Sequence, residues 1–225
     1  MAEELDQSLL VPDPDAPGTP RVSAFTETGV SGISVVNNSV LEEKDSRWRL
    51  PQLVSTVKDM KQDSAVAIAL SLLKTTLLRR KWKVEPPVGA SPEQKEKAKF
   101  VQSCMYDLDN NTSWYSVVRS FTSFFDYGFC PAEIVLKRRL KGNSKYDDGL
   151  IGVAALPVLH QNTIKGWKFN PRRTLVEKII QSTDNLSYST PEKTFKSEIE
   201  IDMRKVLLFR NDPINNNPEG TSILK

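Results

Sequence analysis

The feature that most constrains the fold is the stretch from Asp63 to Leu136, where three helical patterns alternate with two strand patterns. It reads DSAVAIALSLLKTTLLRRKWKVEPP, then SPEQKEKAKFVQSCMYDLDNN, then TSWYSVVRSFTSFFDYGFCPAEIVL. Both strand patterns begin where a helix stops, and beyond Leu140 the patterns are those of strands and turns. Helices followed by a mostly antiparallel sheet predict an α+β fold, in which each element buries one apolar face.

Capping residues mark where the first two helices of this stretch begin. Asp63-Ser64 offers an N-cap, and the helix that follows ends in Arg79-Arg80-Lys81, where cations favour the negative end of the helix dipole. The apolar surface of this helix is so broad that the pattern predicts burial on most sides. Ser91-Pro92-Glu93-Gln94 predicts a capping box at the start of the next helix, with proline at its first position.

A third helix is predicted from about Ser113, because large apolar residues recur there at helical spacing. Gly128 follows as a natural residue just beyond the helix end, so we expect a positive φ at this position. The run FCPAEIVLKRRL then predicts a strand. The side chains that we expect to be almost fully buried are Leu70, Leu73, Val101, Val118, Phe121, Ile134 and Val135.

Shorter elements are predicted on both sides of these helices. Pro51 suits the first turn of a short helix over PQLVSTVKDMKQD. WKVEPP alternates apolar and charged residues, which is typical of a half-buried strand, and Pro86-Pro87 ends it. Further strands are predicted in LIGVAALPVL, IKGWKFN, TLVEKIIQS, EIEID and KVLLF, and GTSIL has the pattern of a helix start.

The first 46 residues differ in composition from the rest of the chain. They contain nine acids and only Arg21 and Lys44 as bases, and the segment VPDPDAPGTP excludes regular structure because each proline removes a donor. We predict an extended or disordered N-terminal arm over residues 1–46, followed by an α+β domain over residues 47–225. An arm that orders against a neighbouring subunit and a simple disordered tail both remain open.

The overall composition is ordinary for a globular chain of one or at most two domains, with 225 residues, 39% hydrophobic and 26% charged. The net charge of +3 does not by itself indicate a nucleic-acid partner. Cys104 and Cys130 do not have metal-ligand spacing, and we interpret them as buried reduced thiols, with a disulfide as the less favoured alternative. The acidic N-terminus is not a secretory signal, and no apolar run reaches the about 18 residues that a membrane span needs.

No constellation of residues indicates catalysis. His160 is the only histidine, which leaves no basis for a Ser-His-Asp triad or a histidine metal site, and we interpret it as a surface or capping residue. Asp147-Asp148 is interpreted as a solvated turn, and neither GxGxxG nor GxxxxGK[ST] occurs. We therefore expect no enzymatic activity, no metal and no cofactor.

Three basic clusters, Lys74–Lys83, Lys137–Lys145 and Lys165–Arg173, are candidates for contacts with a partner. Such a surface would suit a phosphate backbone, and a nucleic-acid-binding module that uses basic strand edges is our alternative function. Lysines on solvated strand edges, which prevent aggregation, are the competing interpretation. The residues that we select as possible contacts to DNA or to a neighbouring subunit are Arg79, Arg80, Lys137, Arg138, Arg139, Arg172 and Arg173.

Taken in order, these segments resemble the portal proteins of tailed phages, of the type found in Mu-like phages. The similarity is carried by five segments: DSAVAIALSLLKTTLLRRKWKVEPP, SPEQKEKAKFVQSCMYDLDN, WYSVVRSFTSFFDYGFCPAEIVLKRR, GLIGVAALPVLHQNTIKGWKFNP and DMRKVLLFRNDPINNNPEGTSILK. It extends from about Gln52 to Lys225 and rests on the order of the segments, since no single motif is diagnostic.

The resemblance implies a structural subunit of a ring at the unique capsid vertex of the virion, assembled in the host cytoplasm and usually containing twelve copies. Its implied roles are genome packaging, DNA passage and head–tail connection. Its implied partners are the major capsid protein, the head–tail adaptor, terminase during packaging and double-stranded DNA, with no membrane. The segments resemble the wing portion of such proteins, so we expect the chain to stop before the stem and clip.

Overall fold

A computed structural model describes residues 29–109, 112–182, 197–214 and 216–225. The chain divides into Met1–Val30 and Ser31–Lys225, and all elements named below lie in the second unit. The helices are α1 (Gln52–Met60), α2 (Ser64–Leu78), α3 (Pro92–Met105), α4 (Trp114–Phe121) and α5 (Ser123–Tyr127). The strands are β1 (Val35–Val36), β2 (Ser39–Val40), β3 (Phe129–Glu133), β4 (Val135–Arg138), β5 (Ile151–Ala155), β6 (Ile164–Phe169), β7 (Val176–Ser182), β8 (Glu198–Asp202) and β9 (Val206–Arg210).

The strands form several small antiparallel sheets. β1 pairs with β2, β3 with β9 and β4 with β5, while β6, β7 and β8 form a three-stranded sheet in that order. Helices followed by antiparallel strands confirm the predicted α+β class.

Local capping chemistry starts the helices where the sequence predicts. The Asp63 carboxylate accepts from the backbone N–H of Ala65 at 2.7 Å, which caps α2. At the start of α3, Ser91 and Gln94 form the reciprocal capping box. The Ser113 hydroxyl accepts from the Ser116 N–H and caps α4. All three predicted helix starts are confirmed.

Gly128 ends α5 with φ at +86°, as predicted. A Cβ atom here would lie 2.7 Å from the Glu219 carbonyl oxygen, so the position also needs glycine for the close approach of the C-terminal segment. The chain turns from the helix into β3 at this point.

The core is divided by β3, whose side chains alternate between two clusters. Phe129 lies in the larger cluster, with Trp167, Ile179 and residues of α1. Cys130 and Ala132 lie in the smaller one, with Val117 and Phe121 of α4. Because α4 packs on the smaller cluster and Phe129 lies in the larger one, β3 joins α4 to the sheet of β6, β7 and β8. Both cysteines are free and buried, as predicted.

Four predicted elements differ from the structure. WKVEPP forms no strand. The strand predicted after Gly128 is broken at Ile134, because β3 pairs with β9 whereas β4 pairs with β5. The third helix is divided at Thr122, whose hydroxyl donates to the Arg119 carbonyl at 2.7 Å. The segment after Gly220 forms a turn and not the beginning of a helix.

The burial predictions are correct for Leu70, Val118 and Phe121. They are wrong for Leu73, Val101 and Val135, which are exposed, and Ile134 is half-buried. α2 was expected to be buried on most sides, yet Leu70 is its only buried residue. The apolar content of a segment therefore does not show which of its faces is buried within the subunit.

The predicted arm lies partly within the described residues. Ile33 and Val40 are buried in the larger cluster, and the Asn38 carbonyl accepts from the Trp167 N–H of β6 at 2.7 Å. Residues 1–28 lie outside the described part of the chain. The arm as a whole stays a prediction.

Candidate interaction surfaces

Lys137, one of the seven selected cations, is directed into the subunit. Its ammonium group lies 2.7 Å from the Asp109 carboxylate and 3.4 Å from that of Asp107, and its side chain is almost fully buried. Burial acts to raise the pKa of Asp107, but hydrogen bonds from Ser144 and the Lys145 N–H, together with Lys137, hold that pKa below its ordinary value. This cluster anchors the loop after β4 to the end of α3.

Arg139 is also an internal residue. Its guanidinium group is buried, lies 2.9 Å from the Asp148 carboxylate and donates to the Ser103 hydroxyl at 2.9 Å. The rings of Phe100 and Tyr146 cover it, with centroids 5.0 and 4.1 Å from its central carbon. Arg139 therefore presents almost no charge to a partner.

The other five selected cations are exposed at three separate places. Two lie at the end of α2, one on β4 and two in the turn between β6 and β7: Arg79, Arg80, Arg138, Arg172 and Arg173. The Arg173 guanidinium donates to the Ile33 carbonyl at 3.1 Å, which ties that turn to the segment before β1. Contact of these five residues with DNA or a neighbour stays a prediction.

A groove of about 800 Å³ lies where the ends of α2 and α3 meet the start of α4. Leu78, Met105 and Val118 line it together with the aromatic rings of Trp82 and Trp114. Its cationic residues are Arg80, Lys81, Lys83 and Lys145. The groove therefore combines apolar surface with positive charge, a pairing that suits an acidic partner.

The chain matches one protein family over most of its length. The matching family is described as the portal protein of Mu bacteriophage, and the match spans residues 54–225. The chain belongs to this portal family. The resemblance inferred from the order of five segments is thereby confirmed. No curated protein matches the chain.

Membership of the portal family gives the protein a general role. Portal proteins are structural proteins and are not known as enzymes. The family implies a homo-oligomeric ring in the phage head and hence a component of the virion capsid. Within the described residues, no helix of this portal protein is long and apolar enough to cross a membrane.

His160, interpreted from the sequence as a surface or capping residue, has a capping role in the portal fold. Its Nδ1 accepts from the Asn162 N–H at 3.1 Å and opens a short 3₁₀ turn before β6. Burial lowers the pKa of His160, and Lys58 lowers it further.

Asp126 joins several elements of the portal fold, and no sequence pattern indicated it. Its carboxylate is buried in α5 and accepts from Lys61 at 2.8 Å and from Lys74 of α2 at 2.7 Å. Its backbone carbonyl accepts from the Ser222 hydroxyl at 2.5 Å. One acid thus links α1, α2, α5 and the C-terminal segment.

Glu219 is also a buried acid, but its environment differs from those of Asp107 and Asp126. Its Oε1 accepts from the Trp167 indole N–H at 3.0 Å, and no cation is paired with it among the described residues. Burial raises the pKa of Glu219 from 4.5 to about 7, although the Trp167 hydrogen bond acts in the opposite direction. The carboxyl group is therefore held largely protonated below neutral pH.

We expect Glu219→Gln to stabilise the protein at pH 8 by about 2 kcal/mol and to be nearly neutral at pH 5. Because the pKa of Glu219 is higher in the folded than in the unfolded protein, its stabilising contribution is complete below pH 4.5 and is lost as the pH rises from 4.5 through about 7. The full displacement corresponds to roughly 3 kcal/mol. The amide NH₂ offsets part of this gain, because it adds a buried donor without an identified partner. Urea unfolding at pH 5, 6.5 and 8 measures the effect.

Glu200→Gln is the matched control for the pH experiment. Lysines Lys168 and Lys178 lower the pKa of this exposed acid to about 2, so its contribution is lost only as the pH falls below about 4. His160 contributes to the pH dependence with the opposite sign, since its lowered pKa makes stability rise with pH. Comparing each variant with the wild type at each pH removes that contribution. An equal effect of Glu219→Gln at pH 5 and pH 8 would contradict the prediction.

Proposed function

We propose that this protein is a structural subunit of the portal ring at the unique vertex of a phage capsid, serving genome packaging, DNA passage and head–tail connection. The observation that carries the proposal is the family match over residues 54–225. The match begins within α1 and extends to the C-terminal segment, so it includes α2 to α5 and the strands β3 to β9.

The proposed ring contains twelve copies of the chain. Its proposed partners are the major capsid protein, the head–tail adaptor, terminase during packaging and the double-stranded genome. The ring assembles in the host cytoplasm and becomes part of the virion.

DNA binding by the isolated chain is the second candidate function, and the exposed cations favour it. Arg79 and Arg80 lie side by side at the end of α2, next to the exposed ring of Trp82. Arginine beside an aromatic side chain suits contact with a nucleic-acid backbone and bases. In this candidate the chain acts as a binding module and not as part of a ring.

Mass photometry and negative-stain electron microscopy of the purified chain test the first proposal. We expect closed rings with one dominant copy number at micromolar protein concentration. A chain that remains monomeric over the whole concentration range would overturn the ring proposal.

Fluorescence anisotropy with duplex DNA at 50 and 200 mM salt tests the second candidate. A binding module that neutralises several phosphates should lose affinity by about a hundredfold or more between these salt concentrations. Arg79→Ala with Arg80→Ala should weaken binding, whereas Lys95→Ala with Lys99→Ala on exposed α3 positions should change it less. Monomers with steeply salt-dependent binding support the module, and rings without such binding support the structural subunit.

A further inference from the structure

α2 has an outer face that does not resemble a solvated helix. Lys74 is the only charged residue of the helix, and its ammonium is directed inward to Asp126. Ile68 and Leu72, one turn apart on the outer face, are 68% and 69% exposed. The other exposed positions of this helix are also uncharged: Ser64, Ala65, Ala67, Ala69, Ser71, Leu73, Thr75 and Thr76.

Comparison with α3 shows how unusual this face is. α3 exposes Glu93, Lys95, Glu96, Lys97 and Lys99, the mixture of charges that is usual for a helix in water. Absence of charge is the compositional mark of the centre of a protein interface. A single exposed apolar residue needs no explanation, but a continuous uncharged helix face indicates a partner.

The β4–β5 hairpin carries a second exposed apolar face of the subunit, in addition to that of α2. Strand alternation places Lys137 and Gly152 on its inner side, where Lys137 reaches Asp107 and Asp109 of the segment after α3. Leu136 and Ile151 therefore lie on the outer side, and they are 59% and 65% exposed. Arg138, paired with Ile151 in the ladder, is the cation of that outer face.

A closed ring requires two such surfaces. Each subunit of a cyclic ring repeats one heterologous contact, so a surface on one copy meets a different surface on the next. The sizes agree, since a 15-residue helix is roughly 22 Å long and a five-residue strand roughly 17 Å. A two-stranded hairpin is also marginal by itself and gains from a helix packed on its open face.

We propose that the outer face of α2 in one subunit packs on the outer face of the β4–β5 hairpin in the next subunit. This inference rests on the proposed ring and names the surfaces that close it. The occupant of each face is a second copy of this chain, and the contact buries Ile68 and Leu72 against Leu136 and Ile151.

Cysteine cross-linking of the full chain tests the contact. Leu72→Cys combined with Ile151→Cys should give, with a short bismaleimide, a ladder of covalent oligomers larger than dimers on a denaturing gel. Each single variant alone should give no ladder, and the buried Cys104 and Cys130 should leave the wild type unreacted. Dimers formed by Leu72→Cys alone would indicate contact between two α2 helices and would overturn the proposal.

Charge substitutions give an independent test by mass photometry. Leu72→Asp and Ile151→Asp should each raise the concentration for half-assembly at least tenfold. Val101→Asp is the matched control, because this exposed residue lies on the charged α3, and it should leave assembly unchanged. Circular dichroism should show wild-type secondary structure for all three variants.

The remaining outcomes separate the two proposals. Wild-type rings that give no ladder with the double cysteine variant, or that tolerate Leu72→Asp, would overturn the interface and leave the ring intact. Equal sensitivity to Val101→Asp would also overturn the interface. A wild type that forms no ring at any concentration would overturn both.

Discussion

Replacing Phe121 with alanine is expected to lower the free energy of unfolding by about 3–5 kcal/mol. Phe121 is 6% exposed and lies in the smaller core cluster, where its ring stacks on Phe209 with centroids 4.6 Å apart. The substitution removes this contact between α4 and β9 and leaves a cavity that the two elements fill only in part. Urea unfolding followed by tryptophan fluorescence measures the change.

Tyr115→Ala is the matched control for Phe121→Ala. Tyr115 is an aromatic residue of the same helix and is 55% exposed, so its substitution makes a similar change in helix propensity without opening a core cavity. We expect its cost to stay below about 1 kcal/mol. Similar losses for the two variants would show that the face of α4 assigned to the core is wrong.

The parts of the fold that depend on local chemistry could be predicted from the sequence. Asp63, Ser91 and Ser113 cap helices through hydrogen bonds to residues two or three positions away, and Gly128 adopts its positive φ for a reason contained in one residue. Such interactions are visible in a short window of sequence. The helix starts and the α+β class were accordingly predicted correctly.

Strand pairing depends on distant partners, and there the prediction was less complete. WKVEPP has the alternation of a strand, but no other described segment pairs with it. The break at Ile134 arises because β9 and β5, far apart in sequence, each pair with half of one apolar run. Alternation of apolar and polar residues predicts a segment that can join a sheet. The tertiary fold determines whether a neighbouring strand is there to pair with it.

The exposure of the candidate contact residues also depends on distant parts of the chain. In the sequence, Lys137 and Arg139 belong to an ordinary basic cluster on a strand. In the fold, Asp107, Asp109 and Asp148 approach them from outside that strand and neutralise both. A run of cations therefore does not indicate how many of the charges reach the surface.

α2 is the clearest case in which the sequence does not show what buries an apolar helix face. Its apolar composition predicted burial on most sides, but the subunit buries only Leu70 of this helix. The sequence does not distinguish burial within the same chain from burial against another. Ile68 and Leu72 remain exposed in the subunit, although their chemistry is that of a buried face. For a protein of a ring-forming family, part of the core that the sequence predicts can lie between subunits.

Replacing Asp126 with alanine is expected to destabilise the subunit by about 3–4 kcal/mol, because the substitution leaves two ammonium groups without their carboxylate. Lys61 and Lys74 approach the buried Asp126 from different elements at 2.8 and 2.6 Å. The estimate lies toward the lower end for a buried pair, since Lys61 is partly exposed and regains water when its partner is removed. Thermal and urea unfolding at pH 7 measure the loss.

Glu200→Ala is the control that isolates burial as the cause. Glu200 also accepts from two lysines, Lys168 and Lys178, but this cluster is exposed, so its removal should have a much smaller effect than Asp126→Ala. Replacing the whole buried cluster, with Asp126→Leu, Lys61→Met and Lys74→Met together, should recover more than half of the lost stability, because no buried charge is left unpaired. If the triple variant were less stable than Asp126→Ala, the attraction between these charges would itself stabilise the fold, and the cost assigned to the unpaired lysines would be wrong.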